Sequence, residues 1–280
     1  MAEGVRRVQV TRIGRGAAGR GEDAAAVEEP LEVRLHGRPF AIVMRTPGAD
    51  KDLAAGFLLS EGVISSAADV GAVEHCRHPD RPDHHNVVDV YLVGNAARDL
   101  DRHLDARRRV TATSSCGMCG RVSIDSLRLR VDPLPVHLTM RPEVVAGLPT
   151  LLRAHQAAFD RTGGLHAAGL FTSEGRCELS AEDVGRHNAV DKIVGRMLLD
   201  ERLPARGLAL AVSGRTSFEI VQKAWIGGIE LVCAVSAPSS LAIELAEAAG
   251  ITLLGFARDG GFNIYSHAGR IDVDGPGSSA

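Results

Sequence analysis

Apolar positions divide the chain into two halves with different rhythms. Leu31, Val33 and Leu35 alternate with polar residues, His36-Gly37 supplies a turn, and Phe40–Met44 continues as a second strand. Asp50 stands where a helix cap belongs. Leu53, Phe57 and Leu58 share one face of residues 51–60, with Gly62 beyond the end. Residues 87–93 and 109–113 read as two further strands, so the first half is strand-rich and broken by turns.

From Pro142 onward the period lengthens. A helix is predicted over 142–161, opened by that proline and closed before Gly163-Gly164. His166–Thr172 and Cys177–Ser180 flank Ser173–Arg176 as a hairpin, and Val190, Ile193, Val194, Met197 and Leu198 recur at helical spacing. Apolar strands at 208–212, 231–235 and 251–256 alternate with helical segments at 216–226 and 239–249. Gly250 stands where a helix C′ glycine would. This is a parallel α/β layout, and in open α/β sheets ligands bind outside the carboxyl ends of the strands. Those ends read Ser213–Ser217, Ser236–Ser240 and Ala257–Gly261, all small and polar. Residues 1–30 carry too little patterned apolar surface to offset their ordering entropy and read as a mobile tail, with one short strand at Val8–Val10.

Composition narrows the class. At 280 residues, 45% apolar and 24% charged, the chain is globular and can bury a sizeable core. A net charge of −3 excludes a basic nucleic-acid coat, and seven Phe, two Tyr and one Trp are too few for a base-stacking surface. No signal-like stretch opens the chain and no run approaches the ~20 apolar residues of a membrane span. The expected setting is the cytoplasm, away from nucleic acid and membrane. Five cysteines, odd and sparse, do not form a disulfide framework there.

The most specific feature is Ser114-Ser-Cys-Gly-Met-Cys-Gly120. Glycine after each cysteine and serines before the pair disfavour the helix start of a thioredoxin-type dithiol. A zinc knuckle needs four ligands, and Cys76, Cys177 and Cys233 are isolated. The chemistry fits, in descending order, a sulfur carrier, a redox dithiol and a partial metal site, and does not choose among them. His75, Cys76, His78, His84 and His85 cluster in a loop that reads as exposed; no structural metal is expected.

Two segments point to a ligand in the second half. Glu182–Lys192 leads charged residues, with Arg186, His187 and Asn188 in sequence, into an amphipathic helix, whose N-terminus suits phosphate or a purine-like ring. Ser213, Gly214 and Arg215 open a second strand–turn–helix, a weak phosphate signal without the P-loop pattern. Only three of the 32 basic residues are lysines, and two of them, Lys192 and Lys223, lie in these helices, as if a compact ammonium were needed there. The order of elements from 142 also suggests a cytidine-deaminase-like sheet. The zinc-deaminase signature is missing: no Glu follows His166 at the required place and no P-C-x-x-C occurs.

Ser115–Gly120, Glu182–Lys192, Ser213–Ser217, Gly255–Arg258 and Asn263–Tyr265 together resemble the formate dehydrogenase accessory sulfurtransferase family, FdhD, over residues 31–267. The resemblance implies a cytoplasmic, homodimeric sulfur carrier. A cysteine desulfurase would load it, and it would pass sulfur to molybdenum bis(molybdopterin guanine dinucleotide), which formate dehydrogenase requires. Cys116 would be the persulfide intermediate and Cys119 its helper. Phe256, Ala257, Arg258, Asp259, Gly260 and Gly261 would line the cofactor or its guanine nucleotide. Arg186, Arg215 and Arg258 would hold diphosphate oxygens, and His187 or Asn188 would meet a base or pterin edge, beside Lys192, Ser213 and Gly214. The implied fold is a cytidine-deaminase-like three-layer α/β domain over 136–270. It would follow a smaller β-rich domain over 31–135, with flexible tails at 1–30 and 271–280. The competing reading is a cofactor-binding chaperone whose dithiol senses redox state without moving sulfur. A zinc hydrolase or deaminase ranks third.

Overall fold

The computed structural model describes residues 4–14, 17–76, 84–108, 132–258 and 260–273. The amino-terminal stretch differs from the expected tail. β1 (Val5–Gly14) and β2 (Ala17–Ala26) pair in one antiparallel register along their whole length. Only Val5 of β1 is buried, so the hairpin rests on backbone hydrogen bonds and cross-strand contacts such as Arg7 and Gln9 with Glu22. An apolar pattern cannot signal such a hairpin.

β3 (Glu29–Leu35), β4 (Arg38–Arg45), β5 (Val70–His75) and β6 (Val87–Leu92) form a four-stranded sheet in the order β4-β3-β6-β5. Leu31, Val33 and Leu35 alternate inward from β3, as the period-2 pattern requires. Helix α1 (Asp50–Ser60) spans almost the expected residues, but Asp50 is not its cap. Ala49 takes that place at φ 54°, and the Asp50 carboxylate pairs in the interior with Arg45 at 2.9 Å. Two short helices follow, α2 (Gly94–Arg98) and α3 (Leu100–Arg108). The strand predicted at 109–113 lies outside the described residues.

The helix predicted over 142–161 is two helices, α4 (Pro142–Arg153) and α5 (Ala157–Thr162). The Glu182 carboxylate accepts the amides of Ala158 and Phe159 at 2.9 and 2.8 Å, which caps the second start from outside and sets the break. β7 (His166–Phe171) and β8 (Cys177–Asp183) form the expected hairpin. After α6 (Arg186–Leu199) come β9 (Ala209–Val212), α7 (Phe218–Ile226), β10 (Leu231–Ala234) and α8 (Ser240–Ala249). β11 (Thr252–Arg258) and β12 (Gly261–Ser266) complete a six-stranded sheet in the order β12-β11-β10-β9-β7-β8.

Only the central β9, β10 and β11 run parallel; β7, β8 and β12 add antiparallel pairings at the flanks. Gly250 ends α8 at φ 67°. Ala167, Phe171, Ala211, Cys233 and Leu254 turn one sheet face toward α4. Ala168, Leu170, Val212 and Val232 turn the other toward α6, α7 and α8. The latter core continues past α6 to α1 and the inner face of the four-stranded sheet. Strands buried on both faces explain the unbroken apolar runs of the sequence. Among the described residues no helix is long and apolar enough to cross a membrane.

Candidate functional site

The carboxyl ends of β9 and β10 converge through a bridge between Thr216 and Pro238, with the Thr216 amide on the Ala237 carbonyl and the Ser239 amide on the Thr216 carbonyl. β7 runs antiparallel to β9, so its first residue, His166, arrives at the same edge. A Cβ on Gly214 would lie 3.3 Å from His166 Nδ1 and 3.8 Å from Arg186 Cδ. That glycine therefore keeps open a cradle between the β9 turn, the start of β7 and the start of α6.

Asp183 aims the start of α6. Its fully buried carboxylate accepts the Thr46 and Gly185 amides, the Asn188 side-chain amide and the Lys192 ammonium, all within 3.1 Å. The backbone is thereby turned so that Arg186 and His187 face the β9 edge. His187 Nε2 lies 3.0 Å from Ser217 Oγ, which donates to Glu219 Oε2 at 2.7 Å. Two buried polar atoms at this edge, Arg186 Nε and Thr216 Oγ1, have no hydrogen-bond partner among the described residues. Buried polar groups are nearly always satisfied, so these two atoms make the edge a candidate place for a polar ligand or an ordered water.

Both imidazoles are held neutral. Burial lowers His166 below its ordinary value, with help from Arg186 and against Asp183. Burial likewise drives His187 down to about 4 against the pull of Glu219, with Arg186, Lys223 and His166 adding to the fall.

The expected residues are only partly brought together. Arg186, His187, Ser213 and Gly214 share the edge, and Ser213 Oγ accepts the Ala167 amide at 2.9 Å. Arg215 and Arg258 are exposed beside the strand ends. Phe256 is 39% exposed at φ 52°, and Gly260 turns the chain at φ 81° before Gly261 pairs back to Arg258. Ala257 is fully buried in the core on the α4 side, which leaves only its backbone for a ligand.

Two of the expected residues spend their nitrogens on the interior. The Asn188 amide nitrogen is bound by the Met44 carbonyl and Asp183. The Lys192 ammonium is saturated by Asp183 and by the carbonyls of Thr46 and Glu182. Lys223 is likewise turned inward, 2.6 Å from Asp191. The lysines are interior braces because a buried carboxylate demands a cation, not because a ligand does. His166 and Glu219 were not singled out by the sequence, and Thr216 and Ser217 were marked only as part of the polar strand end Ser213–Ser217. His166 reaches the site only through the β7–β9 pairing. Cys116, Cys119 and Asp259 lie outside the described residues. Among those described, no group of three or more His, Cys, Asp or Glu could hold a metal ion.

Fold and edge together define a mixed α/β protein with a polar, arginine-flanked edge at the ends of its central parallel strands. The FdhD/NarQ family profile matches residues 26–272. The chain is 50% identical over 260 residues to sulfur carrier protein FdhD of Anaeromyxobacter dehalogenans strain 2CP-1, covering 91% of this chain and 90% of that one. It is 50% identical over 272 residues to the protein of that name from Streptomyces coelicolor, with 95% of each chain covered. With its namesake from Saccharolobus solfataricus the identity is 43% over 271 residues, covering 95% of this chain and 98% of that one. The fold matches a crystal structure of a candidate formate dehydrogenase accessory protein from Desulfotalea psychrophila. The TM-score there is 0.75 at 24% identity, over 95% of this chain and 99% of that one. The chain belongs to the FdhD/NarQ family.

Proposed function

We propose that this protein is a sulfurtransferase of the persulfide-carrier type. It takes sulfane sulfur from a cysteine desulfurase and delivers it to molybdenum bis(molybdopterin guanine dinucleotide), its substrate, for the maturation of formate dehydrogenase. The observation that carries the reading is the glycine-lined edge where Arg186 Nε and Thr216 Oγ1 are buried without partners among the described residues. Relatives named sulfur carrier proteins, alike over nine-tenths of their length, support the transfer step. The reading includes a cytoplasmic homodimer and a cytidine-deaminase-like arrangement of the larger sheet, supported by helices on both its faces.

In the transfer, the Cys116 thiolate attacks the outer sulfur of the desulfurase persulfide. That sulfur–sulfur bond breaks, the desulfurase cysteine leaves as a thiolate, and the sulfur stays on Cys116. Attack by Cys119 on the inner sulfur would release hydrosulfide and leave a Cys116–Cys119 disulfide, so the pair can discharge a stalled persulfide. Arg186, Arg215 and Arg258 would hold the diphosphate oxygens of the incoming cofactor. The strand-end backbone around Phe256 and Gly260 would approach its nucleotide portion.

Incubation with a cysteine desulfurase and L-cysteine should add about 32 Da, one sulfur atom, at Cys116, as read by mass spectrometry. No adduct at Cys116, or a Cys116→Ala variant that still restores formate dehydrogenase in a deletion strain, overturns the carrier step. The ligand edge is tested separately by titrating GDP against the wild type and Arg258→Ala.

A further inference from the structure

We propose that the outer edge of β1 is a contact between two copies of this chain, which pair β1 to β1 antiparallel about a two-fold axis at Gln9. The inference rests on the homodimer of the reading above and names where its subunits meet.

The hairpin is exposed along most of its length. Only Val5 of β1 is buried, and Ile13 near the tip is 86% exposed. Two strands alone are marginal in water; further strands or a packed helix stabilise them. The pairing says which backbone groups are open. The Val27 amide donates to the Gly4 carbonyl at 2.9 Å, one step beyond the Val5–Ala26 pair. Bonded and unbonded pairs alternate along an antiparallel ladder. Arg6, Val8, Val10 and Arg12 therefore bond to β2, while Arg7, Gln9, Thr11 and Ile13 turn their N–H and C=O outward.

The two outer edges of the hairpin are not equivalent. On β2 the outward groups are those of Ala18, Arg20, Glu22 and Ala24. There the Asp23 carboxylate accepts the Ala24 amide at 2.8 Å, and Arg12 reaches over Gly21 to donate to the Glu22 carbonyl at 2.9 Å. A Cβ on Gly21 would stand 2.9 Å from Arg12 Nη1, so the glycine makes room for this guard. α5 packs against β2 as well. Edges left bare invite pairing, and side chains that occupy them prevent it. Among the described residues no strand covers the outward groups of β1.

The order of residues in β1 identifies the partner as a second copy. Val5, Val8, Val10 and Ile13 stand symmetrically about Gln9, and so do Arg6 and Arg12. Antiparallel pairing centred there sets Val8 against the partner's Val10 and Ile13 against the partner's Val5, each pair on one face of a four-stranded sheet. A slip of two residues either way puts an arginine against Val8 or Val10, so the register is specific. Arg6 meets the partner's Arg12, but each already has an acid in its own chain, Glu29 at 3.7 Å and Asp23 at 3.5 Å. Gln9, on the axis, exchanges both backbone bonds with its own copy.

Sedimentation velocity of the full chain reads the assembly, and peptide mapping reads the contact. The wild type should sediment as a dimer. Gln9→Pro removes only an outward N–H, so it should leave the hairpin's own ladder intact and weaken the dimer about tenfold or more, the worth of the axis bonds. Gln9→Cys should link two copies through the introduced thiols under mild oxidant, because residues of a bonded pair lie about 5.5 Å apart at Cα, within disulfide reach. Arg20→Cys, on the guarded edge, should link far more slowly and controls for random collision. Suppose the wild type is dimeric but Gln9→Cys links no faster than Arg20→Cys, or Gln9→Pro associates as tightly as before. Either result overturns this contact and leaves the homodimer standing on another face. A monomeric wild type removes both and opens the edge to a different partner. Where Gln9→Pro does not fold, the comparison of linking rates decides alone.

Discussion

Gly195 of α6 meets Asp52 of α1 backbone to backbone: a Cβ on Gly195 would stand 1.8 Å from the Asp52 carbonyl oxygen. One turn away the contact is reciprocated, because a Cβ on Gly56 would lie 2.0 Å from the Asp191 carbonyl oxygen. The obstacle at both places is main chain, which cannot rotate aside, so the helices would have to separate. Gly195→Ala and Gly56→Ala should each destabilise the fold by about 3 kcal/mol or more, at the upper end of overpacking costs. Denaturant midpoints measure this, and a loss under about 1 kcal/mol would show that the crossing relaxes easily.

His187 should imprint itself on the pH dependence of stability. An unfolded chain binds its proton near 6.5 and the folded chain only near about 4. Between these values the unfolded state holds more protons, so stability is complete above pH 6.5 and is lost as pH falls toward 4. The contribution is of order 3 kcal/mol. His187→Gln should flatten the stability curve in that window by about one proton's slope, measured by denaturation at stepped pH. An unchanged slope would show that the imidazole is not held neutral.

Two thiols outside the Cys116–Cys119 pair, Cys177 and Cys233, should react poorly. Cys233 is 1% exposed in the core beneath α4, and its burial pushes the thiol up to about 12. Burial also raises Cys177, which is partly covered. Iodoacetamide at neutral pH should leave Cys233 unlabelled until the protein unfolds and should label Cys177 slowly. A Cys177→Ala/Cys233→Ala variant should take up sulfur at the wild-type rate. Loss of loading without loss of stability in that variant would give one of these cysteines a part in the relay.

What could be read from the sequence follows from how local each feature is. The α/β rhythm was plain because β9, β10 and β11 are continuous apolar runs and Gly250 closes α8 at positive φ. The strand-end segments were found because loops at that edge are short and polar. The β1–β2 hairpin was invisible because backbone pairing, which any residues can supply, holds it together. The scarcity of lysine did mark special positions, but Lys192 and Lys223 answer the buried carboxylates of Asp183 and Asp191. Those pairs bridge helix to strand and helix to helix, a relationship that spacing along the chain does not reveal. The His187–Ser217–Glu219 hydrogen-bond chain has the same character, since it joins α6 to the start of α7 across the sheet edge, thirty residues apart in the chain.

Phe256 offers a separate measure of the ligand edge. It adopts φ 52° directly after Gly255, in the left-handed region where a bulky side chain costs of order 1 kcal/mol, and it is 39% exposed. The conformation is fixed from both sides. Its amide donates to the Ser236 carbonyl, and a Cβ on Gly255 would lie 2.9 Å from both Pro238 and Tyr265. Strain held at an exposed aromatic points to a use for the ring, because a glycine would sit there unstrained. Phe256→Gly should therefore keep or raise stability by up to about 1 kcal/mol, since the relief of strain offsets the added freedom of the unfolded chain. The same variant should bind GDP more weakly, because the exposed ring is gone. Calorimetric melting and GDP titration on one preparation separate the two effects. A variant that melts lower and binds GDP normally would make Phe256 a packing residue with no part in the site.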